Sequence, residues 1–188
     1  MRIIAGAYKG RTLKSLPSMQ VRPTSDRLRE TLFNVIAPHI MDARFLDLCA
    51  GTGAVGIEAL SRGATRTTFV DRSRKVCTLI EANVALCRIT EEQAEIYNSE
   101  VTDFLRQAVS WKMTPWDIVF YDPPYKDDPT PVLEFFGTHQ TQLLSDEGII
   151  IVEHHHKLEL PVVIGKLERT RVLKQGDSSL SFFAGVTT

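Results

Sequence analysis

The feature of this sequence that most constrains its fold is an alternation, from residue 44 onward, of short apolar segments with longer amphipathic ones. Apolar strands are predicted at residues 45–49, 67–70, 94–97, 117–121 and 149–153. Amphipathic helices are predicted at residues 54–62, 74–87, 101–109 and 131–144. This alternation builds βαβ units, so the predicted fold class is α/β with a twisted, mostly parallel sheet. Residues 166–173 and 180–184 are expected to form an antiparallel hairpin at the sheet edge.

A different pattern precedes the first of these strands. Residues 2–16 are predicted to form a short hairpin around the turn from Gly6 to Gly10, followed by an irregular link at residues 18–23. Thr24 or Ser25 is expected to cap a helix that ends near Ile36. We therefore expect a small N-terminal extension at residues 1–38 and a main domain at residues 39–188.

The composition fits a compact chain that can bury a core. Of the 188 residues, 43% are hydrophobic and 24% are charged, and no apolar run approaches the roughly 20 residues needed to cross a bilayer. The N-terminal residues lack the apolar stretch of a signal peptide. We expect a cytoplasmic monomer.

Charge is distributed unevenly along the chain. Residues 1–34 carry seven basic side chains and two acidic ones, a local net charge of +5 against −1 for the whole chain. This asymmetry predicts a basic patch that contacts the phosphates of a nucleic acid. The side chains expected to bind RNA are Arg2, Lys9, Arg11, Arg22 and Arg27.

A glycine-rich loop lies between the first strand and the next helix. Gly51, Gly53 and Gly56 satisfy the Gly-x-Gly-x-x-Gly pattern of dinucleotide-binding proteins, and Asp71 follows Gly51 by twenty residues. This spacing admits a nicotinamide or flavin enzyme as readily as a methyltransferase.

Asp47, inside the strand before the loop, favours the methyltransferase interpretation. A carboxylate there would repel a pyrophosphate but would favour the ammonium and sulfonium groups of S-adenosylmethionine. Asp71 can accept hydrogen bonds from the ribose hydroxyls, and Glu100 can line the adenine pocket. The full set expected to bind this cofactor is Asp47, Ala50, Gly51, Gly53, Asp71, Arg72, Glu100, Val101 and Asp122.

The Asp122-Pro123-Pro124-Tyr125 segment follows the apolar strand at residues 117–121 and is the predicted catalytic segment. The two prolines stiffen the turn, so the Asp122 carboxylate and the Pro123 carbonyl can be aimed at one point. Two such acceptors can hold the protons of an exocyclic base amine and turn its lone pair toward a methyl donor. Tyr125 can stack on the base.

The histidines at positions 154, 155 and 156 are the remaining cluster of chemically active side chains. Consecutive residues of a strand point to alternate faces, so the three are not expected to converge on a metal. No metal site is predicted, and the role of the cluster stays open.

The sequence resembles the RsmD-type bacterial guanine-N2 methyltransferases of small-subunit ribosomal RNA over nearly its whole length. The resemblance is carried by Met1-Arg2-Ile3-Ile4-Ala5-Gly6, Lys9-Gly10-Arg11, Arg22-Pro23-Thr24-Ser25-Asp26-Arg27, Arg29-Glu30, Phe33-Asn34, Leu46-Asp47-Leu48 with its glycine loop, Glu58-Ala59-Leu60-Ser61-Arg62-Gly63-Ala64 and Asp122 to Tyr125. Cys49 and Thr52 are small departures from the family pattern beside the cofactor loop.

This resemblance implies a Rossmann-like S-adenosylmethionine-dependent methyltransferase fold and methylation of guanine N2 in 16S ribosomal RNA. It also implies an assembled or assembling small subunit, with its proteins, as the partner. Three alternatives follow from the residues alone. They are an adenine-N6 methyltransferase acting on DNA or RNA, a nicotinamide-dependent oxidoreductase, and a non-catalytic RNA-binding protein.

Overall fold

The structure, a computed structural model, describes residues 1–16 and 26–186. The helices in this part of the chain are α1 Asp26–Ile40, α2 Ala54–Ser61, α3 Arg74–Cys87, α4 Val101–Ser110, α5 Thr130–Thr138 and α6 Gln140–Leu143. The strands are β1 Arg44–Leu48, β2 Arg66–Asp71, β3 Ala94–Asn98, β4 Trp116–Tyr121, β5 Leu144–His155, β6 Val163–Ile164, β7 Leu167–Gln175 and β8 Ser178–Gly185.

All eight strands form one sheet in the order β3-β2-β1-β4-β5-β8-β7-β6. The pairings from β3 to β5 are parallel, and β5, β8, β7 and β6 pair antiparallel. The predicted α/β class and the antiparallel hairpin at one side of the sheet are confirmed.

The chain changes direction across the sheet between β1 and β4. From β1 it passes outward through β2 and β3, then returns to place β4 on the other side of β1. Leu48 at the end of β1 is in register with Tyr121 at the end of β4. Such a reversal leaves a crevice at the carboxyl ends of the two strands, where open α/β sheets bind their ligands.

Two hydrophobic clusters cover the two faces of the sheet. One contains buried residues of α1, α2 and α3, and the other contains buried residues of α4, α5 and α6. Successive residues of the central strands alternate between them: Phe45 joins the first cluster and Leu46 the second. This alternation holds the register of the sheet, because a slip by one residue would exchange the two faces.

The loop after β1 is shaped by left-handed backbone at Gly51 (φ 56°) and Gly53 (φ 74°), the latter preceding α2. Asp47 is buried below this loop, and its carboxylate accepts a hydrogen bond from the Gly56 N–H at 2.9 Å. Burial raises the pKa of Asp47 from 3.8 to about 8. Asp47 therefore provides an acceptor for one of the N–H groups in the first turn of α2, which have no partner within the helix.

The N-terminal segment is fixed to α2 by Glu58. The Glu58 side chain is fully buried, and its two oxygens accept hydrogen bonds from the Ile4 and Ala5 N–H groups at 2.8 and 2.9 Å. Arg62 donates to the same carboxylate at 2.8 Å. The predicted hairpin is present as an antiparallel bridge between Arg2 and Thr12, with three backbone hydrogen bonds between its arms, and the bonds to Glu58 dock it on α2.

Arg29, one of the seven basic residues in the N-terminal charge count, is fully buried. Its guanidinium donates to the Arg2 carbonyl at 2.6 Å and to Asp26 at 2.9 Å, and its Nε lies 4.0 Å from Glu58. Arg29 joins the extension to the main domain and cannot contribute to a surface patch.

Several predicted boundaries were wrong. Helix α1 continues through Pro38 to Ile40, because Ile40 is buried against the core and Pro38 interrupts only the last turn. The helix predicted at residues 131–144 breaks at His139, where the backbone leaves helical geometry, and Leu144 already belongs to β5. The two-residue strand Val163–Ile164 was not predicted. The link at 18–23 and the cap at Thr24 or Ser25 lie outside the described residues.

Replacing Glu58 by Ala should lower the free energy of unfolding by about 3–5 kcal/mol, because it leaves two backbone N–H groups without their acceptor and removes the carboxylate beside the buried charge of Arg29. Chemical denaturation monitored by circular dichroism measures this change. Glu81→Ala, at an exposed position of α3, is the matched control and should change stability little. Equal stability of the two variants would show that Glu58 does not anchor the extension.

Replacing Asp47 by Asn should remove one source of pH dependence. Between pH 3.8 and about 8, Asp47 keeps its proton in the folded protein but has lost it in the unfolded chain. Folding therefore takes up a proton in this window, and the free energy of unfolding decreases as pH rises. The stability of the unsubstituted protein should therefore fall relative to Asp47→Asn by up to about 1.4 kcal/mol per pH unit in this window. Denaturation curves measured from pH 5 to 8 test this, and parallel curves would contradict it.

Candidate active site

A cavity of about 600 Å³, here called the main cavity, opens at the carboxyl ends of β1, β2, β3 and β4. Nine of the predicted cofactor-binding and catalytic residues line it: Gly51, Asp71, Arg72, Glu100, Val101, Asp122, Pro123, Pro124 and Tyr125. The fold thus brings together, from four separate strand ends, residues that are up to 74 positions apart in the sequence.

Asp71 lies at the end of β2 and is fixed by the backbone around it. The Gly51 N–H donates to one carboxylate oxygen at 3.2 Å, and the Ser73 N–H donates to the other at 2.9 Å. Each carboxylate oxygen can accept more than one hydrogen bond, so the oriented side chain retains acceptor capacity toward the cavity. This geometry suits recognition of a pair of hydroxyls.

Glu100 and Arg72 form the outer rim of the same half of the cavity. Glu100 occupies the N-cap position of α4 but makes no side-chain capping bond, which leaves its carboxylate at the cavity. Its Oε1 lies 4.0 Å from the Arg72 guanidinium, and both side chains are well exposed. An exposed pair at this distance contributes little to stability.

The main cavity is strongly acidic. Its charged lining residues are Asp71, Glu100, Asp122, Asp127, Asp128, Glu153 and, as the single basic one among the described residues, Arg72. Burial and the carboxylates of Asp71 and Asp122 raise the pKa of the Cys49 thiol well above its ordinary value. Cys49 is therefore a neutral lining group, and the field in the cavity favours a cation.

The predicted catalytic segment leaves the sheet directly beside the glycine loop. The Asp122 N–H donates to the Leu48 carbonyl of β1 at 3.3 Å, which ties the start of the segment to the neighbouring strand. Burial and neighbouring acidic groups raise the pKa of Tyr121, the last residue of β4, so its phenol is neutral. The segment thus begins from a rigid, buried anchor.

Tyr125 is held by a chain of hydrogen bonds that the sequence did not reveal. Its hydroxyl lies 2.8 Å from Ser178 Oγ, and the Ser178 hydroxyl donates to Glu153 Oε1 at 3.1 Å. Because Ser178 has a single hydroxyl proton, Tyr125 is the donor in the first of these bonds. Glu153 is only 4% exposed and also lines the main cavity.

Glu153 and Ser178 are the site residues that sequence reasoning missed. For Glu153 a signal existed, since a carboxylate directly follows four apolar residues at the end of a predicted strand. For Ser178 there was none, because only the pairing of β8 with β5 brings this serine into contact with the site.

Some predicted residues are not among the described residues that line the cavity. Asp47, Ala50 and Gly53 lie in or below the glycine loop, and the carboxylate of Asp47 binds Gly56 of α2 instead. The negative charge expected from Asp47 is therefore supplied by the carboxylates of the cavity wall.

The described residues among those predicted to bind RNA also lie outside the main cavity. Arg2, Lys9 and Arg27 are exposed. Arg11 is partly buried, since its guanidinium donates to the Leu86 carbonyl and lies 5.6 Å from the Tyr8 ring. Arg22 falls outside the described residues.

Two further findings concern metals and membranes. Within residues 1–16 and 26–186, no three His, Cys, Asp or Glu side chains are close enough together to hold a metal ion. In the same part of the chain, no helix combines the length and the apolar character that a membrane span requires.

Comparison with known proteins places this site in a family. The family model described as "Conserved hypothetical protein 95" matches residues 1–184. The ribosomal RNA small subunit methyltransferase D of Escherichia coli (strain K12) is 41% identical over 167 residues, which cover 87% of this chain and 79% of the relative.

Solved structures agree with the fold. The structure of yhhF from Escherichia coli has a TM-score of 0.83 at 36% identity and covers 98% of this chain, with 97% of its own length matched. SMU.776, a protein in complex with SAH, has a TM-score of 0.67 at 16% identity, with 82% of this chain and 48% of that protein aligned. The second likeness shows a shared fold alone. The chain therefore belongs to the conserved hypothetical protein 95 family, and the resemblance to RsmD-type methyltransferases found in its motifs is confirmed.

Proposed function

We propose that this protein is an S-adenosylmethionine-dependent methyltransferase that methylates the exocyclic N2 amine of a guanine in small-subunit ribosomal RNA. The observation that carries the proposal is the position of Asp122-Pro123-Pro124-Tyr125 in the same cavity as Asp71 and Glu100. The segment proposed to orient the base and the residues proposed to bind the cofactor thus line the same cavity.

The donor set of the main cavity fits this cofactor. Six carboxylates and one guanidinium line the cavity, so a ligand carrying an ammonium and a sulfonium is attracted and a pyrophosphate is repelled. S-adenosylmethionine, when bound, supplies an activated methyl group. Asp71 would accept the ribose hydroxyls, while Glu100 and Val101 would line the adenine. The same charge distribution disfavours the nicotinamide alternative.

The catalytic segment acts by orientation in this proposal. The Asp122 carboxylate and the Pro123 carbonyl would accept hydrogen bonds from the two N–H groups of the amine, which orients the nitrogen lone pair for reaction with the methyl group. Tyr125 stacks on the target base, and its hydrogen bond to Ser178 limits the rotation of the ring. Prolines at 123 and 124 reduce the conformations that the segment can sample.

The proposed methyl acceptor, a guanine in small-subunit ribosomal RNA, is supported by a relative and by the sequence motifs. The Escherichia coli relative is named for methylation of small-subunit ribosomal RNA. The guanine-N2 acceptor is proposed because the N-terminal motifs of this chain resemble those of RsmD-type guanine-N2 methyltransferases. A cytoplasmic monomer that acts on an assembling subunit, with the extension at residues 1–38 contacting RNA, completes the proposal. The runner-up is an adenine-N6 methyltransferase, because the same segment can hold either amine.

Transfer of labelled methyl to small ribosomal subunits from a strain that lacks this gene tests the proposal. Nucleoside analysis of the product should show N2-methylguanosine. Appearance of N6-methyladenosine would keep the chemistry and overturn the acceptor. No transfer to subunits or to naked RNA, together with unaltered RNA binding, would favour a non-catalytic RNA-binding protein.

Asp122→Ala should lower the rate of methyl transfer at least about 100-fold, because the amine loses one of its two orienting acceptors. Asp122 also belongs to the predicted cofactor-binding set, but the affinity for S-adenosylmethionine, measured by calorimetry, should fall far less than the rate, since five carboxylates of the main cavity, Asp71 and Glu100 among them, remain. Asp146→Ala, an exposed position near the start of β5, is the control and should leave both properties intact. A large loss of cofactor affinity in Asp122→Ala would place Asp122 in cofactor binding instead.

Arg27→Glu should weaken RNA binding and reduce its dependence on salt. Loss of one phosphate contact should lower the slope of log affinity against log salt concentration by about 0.7–0.9. Arg106→Glu, an exposed position on α4, is the control. Equal slopes for both variants would mean that Arg27 makes no contact with an RNA phosphate.

A further inference from the structure

The three consecutive histidines enter three different environments at the end of β5. His154 is buried, and its Nδ1 donates to the His155 carbonyl at 3.0 Å while its Nε2 accepts from Ser181 Oγ at 2.8 Å. The His155 ring meets the Tyr125 ring edge-on at 5.5 Å between centroids. The His156 ring stacks on His155 at 4.5 Å and 27°. The rings of Tyr125, His155 and His156 therefore form a row that begins at the predicted catalytic segment.

This row ends at a second cavity, which has a volume of about 540 Å³. Its polar lining residues include His154, His156, Arg169, Lys174, Ser179 and Ser181. The volume lies within the roughly 300–1,000 Å³ that is usual for small-ligand sites. Tyr125 lines the main cavity and His156 lines the second, so His155 is the only residue between them in the row.

A row of polar side chains crosses three strands on the floor of the second cavity. Ser179 of β8 is in register with His154 of β5 on one side and with Lys174 of β7 on the other. Ser179 is 1% exposed, and its hydroxyl has no hydrogen-bond partner. A buried hydroxyl without a partner is costly, so this group points to a polar ligand.

The charges of the second cavity are opposite in sign to those of the main cavity. Lys174 is exposed at the cavity, and Arg169 adds a second cation although one of its nitrogens already donates to the Leu160 carbonyl. Burial lowers the pKa of His154, so that ring is neutral. Glu159 is the acidic lining residue. Lysine, arginine and a hydroxyl together suit a phosphate group.

Apolar side chains complete the walls of the second cavity. Leu158, Val162 and Val172 line it and are partly exposed. Aliphatic side chains of this kind can contact a nucleobase at its edges, while the His156 imidazole offers a ring on which a base can stack.

We propose that the second cavity binds a nucleotide of the RNA substrate that adjoins the target guanine. Its phosphate lies against Lys174 and Ser179, and its base stacks on His156. The row from Tyr125 to His156 leads the strand from the main cavity to the second. This assignment rests on the proposed function as far as the RNA substrate is concerned.

Equilibrium binding of a short single-stranded RNA oligonucleotide of mixed sequence, measured by fluorescence anisotropy without cofactor, tests the proposal. Lys174→Gln should lower the salt slope by about 0.7, the value expected for one lost phosphate contact on a single strand. Ser179→Ala should weaken binding and should not lower thermal stability, because its hydroxyl has no protein partner to lose. Lys112→Gln, in the exposed turn after α4, is the matched control and should match the unsubstituted protein.

His156 provides a second test with an internal control. His156→Ala should weaken RNA binding about fivefold or more, the range found for lost base stacking, and His156→Phe should restore most of the affinity. Both variants should bind S-adenosylhomocysteine normally, because the main cavity is unchanged. Equal affinity in the Ala variant, the Phe variant and the unsubstituted protein would overturn the stacking role.

Further measurements distinguish RNA from a free nucleotide and from a protein partner, and they test the RNA-binding cavity separately from the proposed function. If the variants lose binding of guanosine 5′-monophosphate but not of the oligonucleotide, the site takes a free nucleotide and the assignment is wrong. If they lose activity only on assembled subunits, with RNA binding intact, a protein partner occupies the cavity and the assignment is also wrong. Reduced RNA affinity in Lys174→Gln, in a protein that shows no methyl transfer, would sustain the RNA-binding cavity and overturn only the proposed function.

Discussion

The parallel pairing of β1 with β4 is the constraint on which the whole site depends. It places Leu48 beside Tyr121, and the Asp122 N–H continues the pairing by donating to the Leu48 carbonyl. The glycine loop and the predicted catalytic segment therefore leave the sheet side by side, although the strand ends that precede them, Leu48 and Tyr121, are 73 positions apart in the sequence. Because both strands are buried on both faces, neither segment can shift without disturbing one of the two hydrophobic clusters.

Charge then divides the carboxyl edge of the sheet into two regions. Carboxylates from β2, α4, the catalytic segment and β5 converge on the main cavity, while Lys174 and Arg169 of β7 face the second cavity. In the proposed function, a cationic cofactor and an anionic RNA strand would thus be drawn to neighbouring but different places. The hydrogen-bond chain from Tyr125 through Ser178 to Glu153 lies at the boundary, so the ring that would stack on the base is fixed where the two regions meet.

The sequence predicted the parallel half of the fold because its strands alternate with helices and end in distinctive segments. It also predicted that residues at the ends of β2 and β4 share one site, because each group follows its strand directly in the sequence, and both groups line the main cavity. It could not predict that Ser178 contacts Tyr125, because that contact needs the antiparallel pairing of β8 with β5. It could not predict the burial of Arg29 and Asp47, because that burial depends on how α1 and α2 pack rather than on charge or spacing.

The acidity of the main cavity should select a cationic cofactor over one that contains a pyrophosphate. Isothermal titration of the purified protein with S-adenosylmethionine, S-adenosylhomocysteine and NAD, at low and at physiological ionic strength, measures that selection directly. We expect binding of the first two and no detectable binding of NAD, with S-adenosylmethionine favoured more strongly as salt is lowered because of its sulfonium charge. Binding of NAD without binding of S-adenosylmethionine would show that the carboxylates of the main cavity do not select the cofactor.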